Sequence, residues 1–158
     1  MIPNFLLNEK RNALILFDMD GVCAEILPDE VPKILKNEQG VYKNKRPIKT
    51  TIKIMQKLSK KQNFTIGILS SCEFENQKKE KLDWLSIYAP FVSKNNVYLI
   101  NWNKEKISVE NRPSGKLNKI QRIKGFEAIY LIEDTQEIIK TTNKVLPNCA
   151  HHITEFLK

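Results

Sequence analysis

Long apolar segments and paired cysteines are both missing from this chain of 158 residues. No apolar run approaches the roughly 20 residues that a membrane-spanning helix requires, so no membrane association is expected. The three cysteines form no Cys-x-x-Cys pair and cannot all be bridged. They therefore predict reduced thiols and a cytoplasmic protein. His151 and His152 lack acidic or cysteine partners at metal-ligand spacing, which favours a structural role for both.

Arginine is scarce as well, supplying only four of the 26 basic residues. The net charge of +8 suggests an anionic partner, either nucleic acid or a phosphorylated small molecule. However, arginine is the residue best suited to bidentate phosphate recognition, and the lysines are spread among many Asn and Ile. A compositional bias accounts for the charge slightly better than a nucleic-acid partner does, and both explanations stay open.

Short apolar runs alternate with amphipathic segments along the chain. Strands are predicted at 13–17, 64–69, 97–100, 128–132 and, more weakly, 149–153. Helices are predicted at 47–61, 75–88, 116–124 and 135–145. This alternation indicates βαβ units, hence an α/β fold with a doubly wound parallel sheet and helices on both faces, in one domain spanning 1–158. Residues 22–46 fit neither element type and predict a long loop or a very small cap.

The segment LILFDMDGV carries the strongest chemical signal. Asp18 and Asp20 follow an apolar strand, and Gly21 allows the chain to turn immediately afterwards. Residues i and i+2 of an extended backbone point the same way, so both carboxylates can face one phosphorus atom. One carboxylate can attack phosphorus, while the other protonates the leaving oxygen and then activates water.

This motif resembles the first motif of the haloacid dehalogenase superfamily, and residues similar to the other three motifs follow in the expected order. TIGILSS supplies Ser70 at the end of the second strand, and RPSGKLNKI supplies Lys116 near the start of a helix. IYLIEDTQEI supplies the acidic pair Glu133 and Asp134. The resemblance implies a Rossmann-like core with a minimal cap or none, and a Mg²⁺-dependent phosphatase.

The resemblance also implies a role for each matched residue. Asp18 would be the nucleophile and a magnesium ligand. Asp20 would act as acid and base through its carboxylate and bind magnesium through its carbonyl. Ser70 would donate a hydrogen bond to a phosphoryl oxygen. Lys116 would neutralise the charge around Asp18 and the phosphate.

The acidic pair departs from the pattern of many relatives, which carry Asp-Asp at this point. Asp134 is predicted to complete the oxygen-rich magnesium site, while Glu133 and Ser71 would support it without binding the metal. Lys106 and Lys119 compete with Lys116 for the lysine role. Lys116 is favoured because Gly115 frees the backbone before it and a helix follows.

Within the superfamily, EKLDWLSIYAPF followed by VYLI and LIED is similar to the 5′(3′)-deoxyribonucleotidase-like group. Lys81 and Trp84 would match a Lys-x-x-Trp helix of that group. Because the stretch 22–46 is shorter than the usual cap, the site is expected to be open. The expected substrate is a phosphomonoester on a phosphorylated small molecule, a nucleotide or a nucleic-acid end.

Three alternatives remain beside this hypothesis. The chain could be a non-catalytic binding or regulatory module, supported by Glu133 in place of Asp. It could instead be a phosphatase acting on a phosphoprotein or another metabolite, or a nucleic-acid-binding protein without catalysis. A two-component receiver domain fits less well, because receivers place the acidic pair on the first strand and the lysine late.

Overall fold

Five parallel strands form a single sheet in the computed structural model, which describes residues 2–27 and 38–156. The strands are β1 (Ala13–Phe17), β2 (Phe64–Cys72), β3 (Val97–Asn101), β4 (Ala128–Glu133) and β5 (Ala150–His152). Their order in the sheet is β3-β2-β1-β4-β5, and every neighbouring pair is parallel. The predicted α/β fold with a parallel sheet is therefore confirmed.

Helices connect the strands. They are α1 (Asn4–Leu7), α2 (Lys49–Leu58), α3 (Glu75–Tyr88), α4 (Arg112–Arg122) and α5 (Gln136–Val145). Short 3₁₀ turns occur at Lys94–Asn96, Val109–Asn111 and Ile153–Phe156. Within the described ranges, none of these helices has the length and apolar character needed to cross a bilayer.

The central strand β1 is fully buried because helices cover both of its faces. On one face, Phe17 belongs to an apolar cluster that includes Met55 of α2 and Trp84 of α3. On the other face, Leu16 belongs to a cluster with Ile138 of α5. An uninterrupted apolar run is the pattern expected of a strand covered on both sides. The two clusters hold the end of β1 in a fixed position.

Strand β2 is three residues longer than predicted. The stretch from Ile68 to Cys72 pairs with β3, so Ser70 and Ser71 lie within the strand rather than after it. Likewise β4 includes Glu133, which was expected to follow the strand. The apolar pattern ends before the backbone pairing does, because residues at the end of the sheet face the site and are polar.

The predicted start of helix α4 is wrong. Helix α4 begins at Arg112, so Gly115 lies inside it and does not free the backbone before Lys116. Glycine is needed there for packing, since a Cβ atom would lie 2.9 Å from the Trp102 ring. In α3, Leu82 is 38% exposed, whereas Lys81 points inward with 2% exposure. A buried lysine on the inner face disguises the amphipathic pattern.

The predicted loop or cap at 22–46 is partly described. Cys23 and Ala24 run beside the start of α2, with the Ile48 amide donating to the Cys23 carbonyl at 2.7 Å and Ala24 forming an antiparallel bridge with Pro47. The helix predicted from residue 47 therefore begins only at Lys49. Residues 28–37 of the predicted cap lie outside the described residues.

All three cysteines are buried and unbridged, as predicted from their spacing.

Candidate active site

The predicted site residues lie together at the carboxyl end of the sheet. Asp18 follows β1, Ser70 lies on β2 and Glu133 ends β4, and these three strands are neighbours. Carboxyl ends of adjacent parallel strands meet at one edge, where α/β folds place their ligands. Helix α4 adds Lys116 to the same edge, since its ammonium contacts both Asp18 and Glu133.

Asp18 is 7% exposed, and its backbone amide donates to the Ile132 carbonyl at 2.9 Å. Its Oδ2 lies 3.1 Å from the Lys116 Nζ. Its Oδ1 is buried and accepts no hydrogen bond from any described residue. Burial raises the pKa of Asp18 to about 6, against the opposing attraction of Lys116. A buried carboxylate oxygen without a donor is costly unless a cation or a substrate contacts it.

Three carboxylates could hold such a cation. Asp18, Glu133 and Asp134 each offer an oxygen, and these oxygens lie within 4.8 Å of one another. Carboxylate oxygens suit Mg²⁺, which also keeps several waters. The vacant hydrogen-bonding capacity of Asp18 Oδ1 points to the same place. The residues present therefore fit a divalent cation.

Glu133 is already occupied by other partners. Its Oε2 accepts from the Lys116 Nζ at 2.6 Å, and its Oε1 accepts from the backbone amides of Asp134 and Thr135 at 3.1 and 3.2 Å. Burial raises the pKa of this carboxyl group, and Lys116 opposes the shift. The carboxylate oxygens of Asp18 and Asp134 accept fewer hydrogen bonds from the described residues than those of Glu133 do. The prediction that Glu133 supports the site stays a prediction, and this geometry agrees with it.

The turn after Asp20 lies directly against Asp134. Gly21 has a φ of +76°, and a Cβ atom on it would lie 2.1 Å from the Asp134 Oδ2. Glycine is required for both reasons, because other residues rarely adopt this conformation and none has room for a side chain here. His152 lies on the other side, with its Nε2 3.1 Å from the Asp134 carbonyl oxygen. That contact agrees with the structural role expected of this histidine.

Two lysines hold the carboxylate of Asp20. Lys81 donates to its Oδ2 at 2.9 Å, and Lys45 donates to its Oδ1. Burial alone would raise the pKa of Asp20, but the two ammonium groups outweigh burial and lower it to about 2. Asp18 and Asp20, two residues apart, therefore have pKa values shifted in opposite directions. Such divergence is typical of paired carboxyl groups with different roles.

Lys81 is one of two residues that the sequence patterns did not place in the site. Besides Asp20, its Nζ contacts the Ser70 Oγ at 2.9 Å and the Ser71 carbonyl at 2.6 Å. Ser71 thus contributes its backbone to the site. The available signal was the Lys-x-x-Trp spacing, since Lys81 and Trp84 lie one helical turn apart and both face inward.

Lys45 is the second residue that was missed, and it comes from the chain between β1 and α2. Residues 38–48, called here the Lys45 segment, are tied to α3 by buried groups. The Glu80 carboxylate accepts from the backbone amides of Gly40, Tyr42 and Lys43 at 2.5, 2.9 and 3.2 Å. The segment is therefore a fixed wall of the site over its described residues.

Two aromatic side chains complete this wall. The Trp84 Nε1 donates to the Lys45 carbonyl at 2.9 Å. The ring of buried Tyr42 lies below both cations, with its centroid 4.3 Å from the Lys45 Nζ and 4.6 Å from the Lys81 Nζ. A ring face attracts cations, and the effect grows when water is excluded. Tyr42 thus holds the two ammonium groups beside Asp20.

Comparison with known proteins shows a similarity in fold. No family model and no curated protein matches this sequence. Two chains from solved structures of the Pnkp1/Rnl/Hen1 RNA repair complex are similar, with TM-scores of 0.67 and 0.66 and identities of 13% and 14%. Each alignment covers 92% of this chain but only 43% and 47% of the matched chains. This chain therefore spans less than half the length of either, and the likeness concerns the fold.

The burial of Asp18, which Lys116 compensates only in part, predicts that Asp18→Asn stabilises the protein without divalent cations. The folded state binds a proton on Asp18 more tightly than the unfolded state, so the stability contributed by this group is fully present below the ordinary pKa of 3.8 and is lost as pH rises through about 6. We expect the stability gain to grow from near zero at pH 4 to about 1–3 kcal/mol at pH 8. Urea denaturation with a chelator measures it.

Asp83→Asn is the matched control, because Asp83 is a partly exposed carboxylate on α3 that forms no ion pair with any described residue. It should change stability by less than about 0.5 kcal/mol at either pH. An Asp18→Asn variant no more stable than the original protein at pH 8 would contradict the assigned burial cost.

The hydrogen bonds of Glu80 predict that Glu80→Ala loosens the Lys45 segment. Three backbone amides lose their acceptor, so the unfolding free energy should fall by about 2 kcal/mol. Limited trypsin digestion should then cut first after Lys43 or Lys45. Glu80→Gln keeps one carbonyl acceptor and should give an intermediate loss. Unchanged stability and protease resistance in both variants would refute the anchoring role.

Proposed function

We propose that this protein is a Mg²⁺-dependent phosphomonoester hydrolase of the haloacid dehalogenase type. The observation that carries the proposal is Asp18, a buried carboxylate held beside Lys116 at the end of the central strand, with one oxygen that accepts no hydrogen bond from the described residues. A second carboxylate two residues later faces the same site. The resemblance of the surrounding motifs to that superfamily adds to this observation.

Asp18 is the nucleophile in this proposal. Its carboxylate oxygen forms a bond to phosphorus as the bond between phosphorus and the leaving oxygen breaks, which gives an aspartyl-phosphate. Water then attacks phosphorus, releases inorganic phosphate and restores the carboxylate. Lys116 contacts Asp18 directly and offsets negative charge on the phosphoryl group during both steps.

Asp20 moves the proton. In the described arrangement two ammonium groups keep it deprotonated, which suits its role as the base that accepts a proton from the attacking water. Protonating the leaving oxygen in the first step requires a higher pKa. Release of Lys45 from Asp20 as substrate enters would supply that shift, because one of the two charges that lower the pKa is then removed.

Ser70 and Lys81 are the proposed phosphoryl-binding pair. The hydroxyl and the ammonium lie 2.9 Å apart on the β2 side of the site, opposite Lys116. Two cations on opposite sides can together contact a phosphoryl group bound between them. The carboxylates of Asp18 and Asp134, with the Asp20 carbonyl, would hold Mg²⁺, which supplies further positive charge at the phosphoryl oxygens.

The proposed substrate class is a nucleotide or a nucleic-acid end. The fold similarity to chains of an RNA repair complex supports it, as does the resemblance to the deoxyribonucleotidase-like group. The net charge of +8 favours an anionic substrate of either kind.

Phosphate release tests this function directly. The panel contains an aryl phosphate, deoxynucleoside monophosphates and a 3′-phosphorylated oligonucleotide, each with Mg²⁺ and with a chelator. We expect Mg²⁺-dependent release that Asp18→Asn lowers by at least about 10³-fold, because the nucleophile is lost. Asp83→Asn, which removes a partly exposed carboxylate of α3 that forms no ion pair with any described residue, should keep its activity within about twofold.

A thermal-shift measurement separates metal binding from turnover. Mg²⁺ should raise the melting temperature of the original protein and of Asp83→Asn, but not that of Asp18→Asn, because a ligand that binds only the folded state stabilises it. Mg²⁺ binding without phosphate release from any substrate would favour a binding module or an untested phosphoprotein. The absence of both Mg²⁺ binding and phosphate release would refute the proposal.

A further inference from the structure

One stretch of the chain is entirely free of acidic residues. Residues 39–72 contain eight Lys and Arg residues and no Asp or Glu. The whole chain has 18 acidic residues in 158, so a stretch of this length would carry about four at the average frequency. A uniform bias toward lysine raises the number of basic residues everywhere but does not remove acidic residues from one region. Local charge patterning therefore needs its own explanation.

Six of these basic residues are exposed and form what we call the cationic strip: Lys43, Arg46, Lys49, Lys53, Lys57 and Lys60. No carboxylate among the described residues forms an ion pair with any of them. Lys45, Lys81 and Lys116, in contrast, are paired with carboxylates within the site, and Lys81 and Lys116 are buried. As far as the described residues show, the charge of the strip is therefore open to an external anion.

The strip begins at the active site and leads away from it. Its first members belong to the Lys45 segment, and Lys45 itself contacts Asp20. Helix α2 connects two parallel strands, β1 and β2, so it runs from the carboxyl edge of the sheet back toward the other edge. Lys49 therefore lies near the site, and Lys53, Lys57 and Lys60 lie progressively farther along.

The spacing within α2 places like charges on one face. Lys49, Lys53 and Lys57 are four residues apart, about 6 Å along the helix axis for each step. Like charges at this spacing repel one another and destabilise a helix. A bound polyanion relieves the repulsion. A lone mononucleotide in the active site does not extend along the helix and leaves most of this charge unneutralised.

We propose that the cationic strip binds the phosphodiester backbone of a single-stranded nucleic acid whose terminal phosphate lies in the active site. This rests on the proposed function and narrows its substrate to a strand end. Lysines neutralise backbone phosphates without reading sequence, so the binding is electrostatic and sequence-independent. Asp18 is only 7% exposed, and the end of a single strand can reach such a buried group without unpairing.

Binding is measured with the Asp18→Asn protein, which holds substrate without turning it over. The probe is a labelled single-stranded oligonucleotide of about ten nucleotides with a 3′-phosphate, in RNA and DNA forms. The strip variant is Lys53→Glu with Lys57→Glu and Lys60→Glu. The matched control is Lys124→Glu with Lys140→Glu and Lys144→Glu, which changes the net charge equally at exposed positions near α4 and α5.

The strip variant should bind at least about tenfold more weakly at 0.15 M salt. Its slope of log affinity against log salt should be smaller by about 2, because three phosphate contacts are lost. The control variant should stay within about twofold, since distant charges are screened at that salt concentration. Equal weakening in both variants would overturn the proposal, as would absence of binding at low salt or equal competition by polyglutamate or anionic vesicles.

Catalysis separates this inference from the proposed function. In the active protein, the strip substitutions should lower kcat/KM for the phosphorylated oligonucleotide about tenfold or more and leave the mononucleotide within about twofold. Oligonucleotide binding that depends on the strip, without any phosphate release, would refute the proposed function but still support nucleic-acid binding by the strip. If the strip substitutions do not change kcat/KM for the phosphorylated oligonucleotide, the result would support the proposed function and overturn the proposed role of the strip.

Discussion

The burial of Asp18 is the constraint on which the rest of the site depends. A carboxylate at the end of a fully buried strand cannot remain charged without nearby cations, and Lys116 supplies one at 3.1 Å. Lys116 is itself buried and needs a second carboxylate, which Glu133 provides at 2.6 Å. Glu133 in turn accepts hydrogen bonds from the backbone amides of Asp134 and Thr135, where the chain leads into α5. One buried charge thus fixes residues from three separate elements.

Charge compensation also positions the residues around Asp20. Asp20 is compensated by Lys81 and Lys45, which come from α3 and from the Lys45 segment. Glu80, next to Lys81, binds the backbone of that segment, so neighbouring residues of α3 position both cations. In the proposed function, a substrate phosphate entering here would meet positive charge on two sides. Substrate binding and the protonation of Asp20 would then be coupled through Lys45, the cation carried by a loop.

Much of this arrangement could be predicted from the sequence, for physical reasons. The apolar run before Asp18 and the spacing of Asp18 and Asp20 predict a strand-end site, because period and burial are local properties. Lys45 and Lys81 were not placed in the site, because a buried lysine depends on partners distant in sequence. The helix position of Gly115 was also wrong, since its cause is contact with Trp102 rather than a turn.

Identification of the phosphorylated residue tests the central claim most directly. The protein is mixed with Mg²⁺ and a hydrolysed substrate, quenched rapidly in acid, and mapped by mass spectrometry. The account predicts one added phosphoryl group on the peptide containing Asp18, and none in Asp18→Asn. A phosphoryl group on Ser70, or turnover that continues in Asp18→Asn, would contradict it.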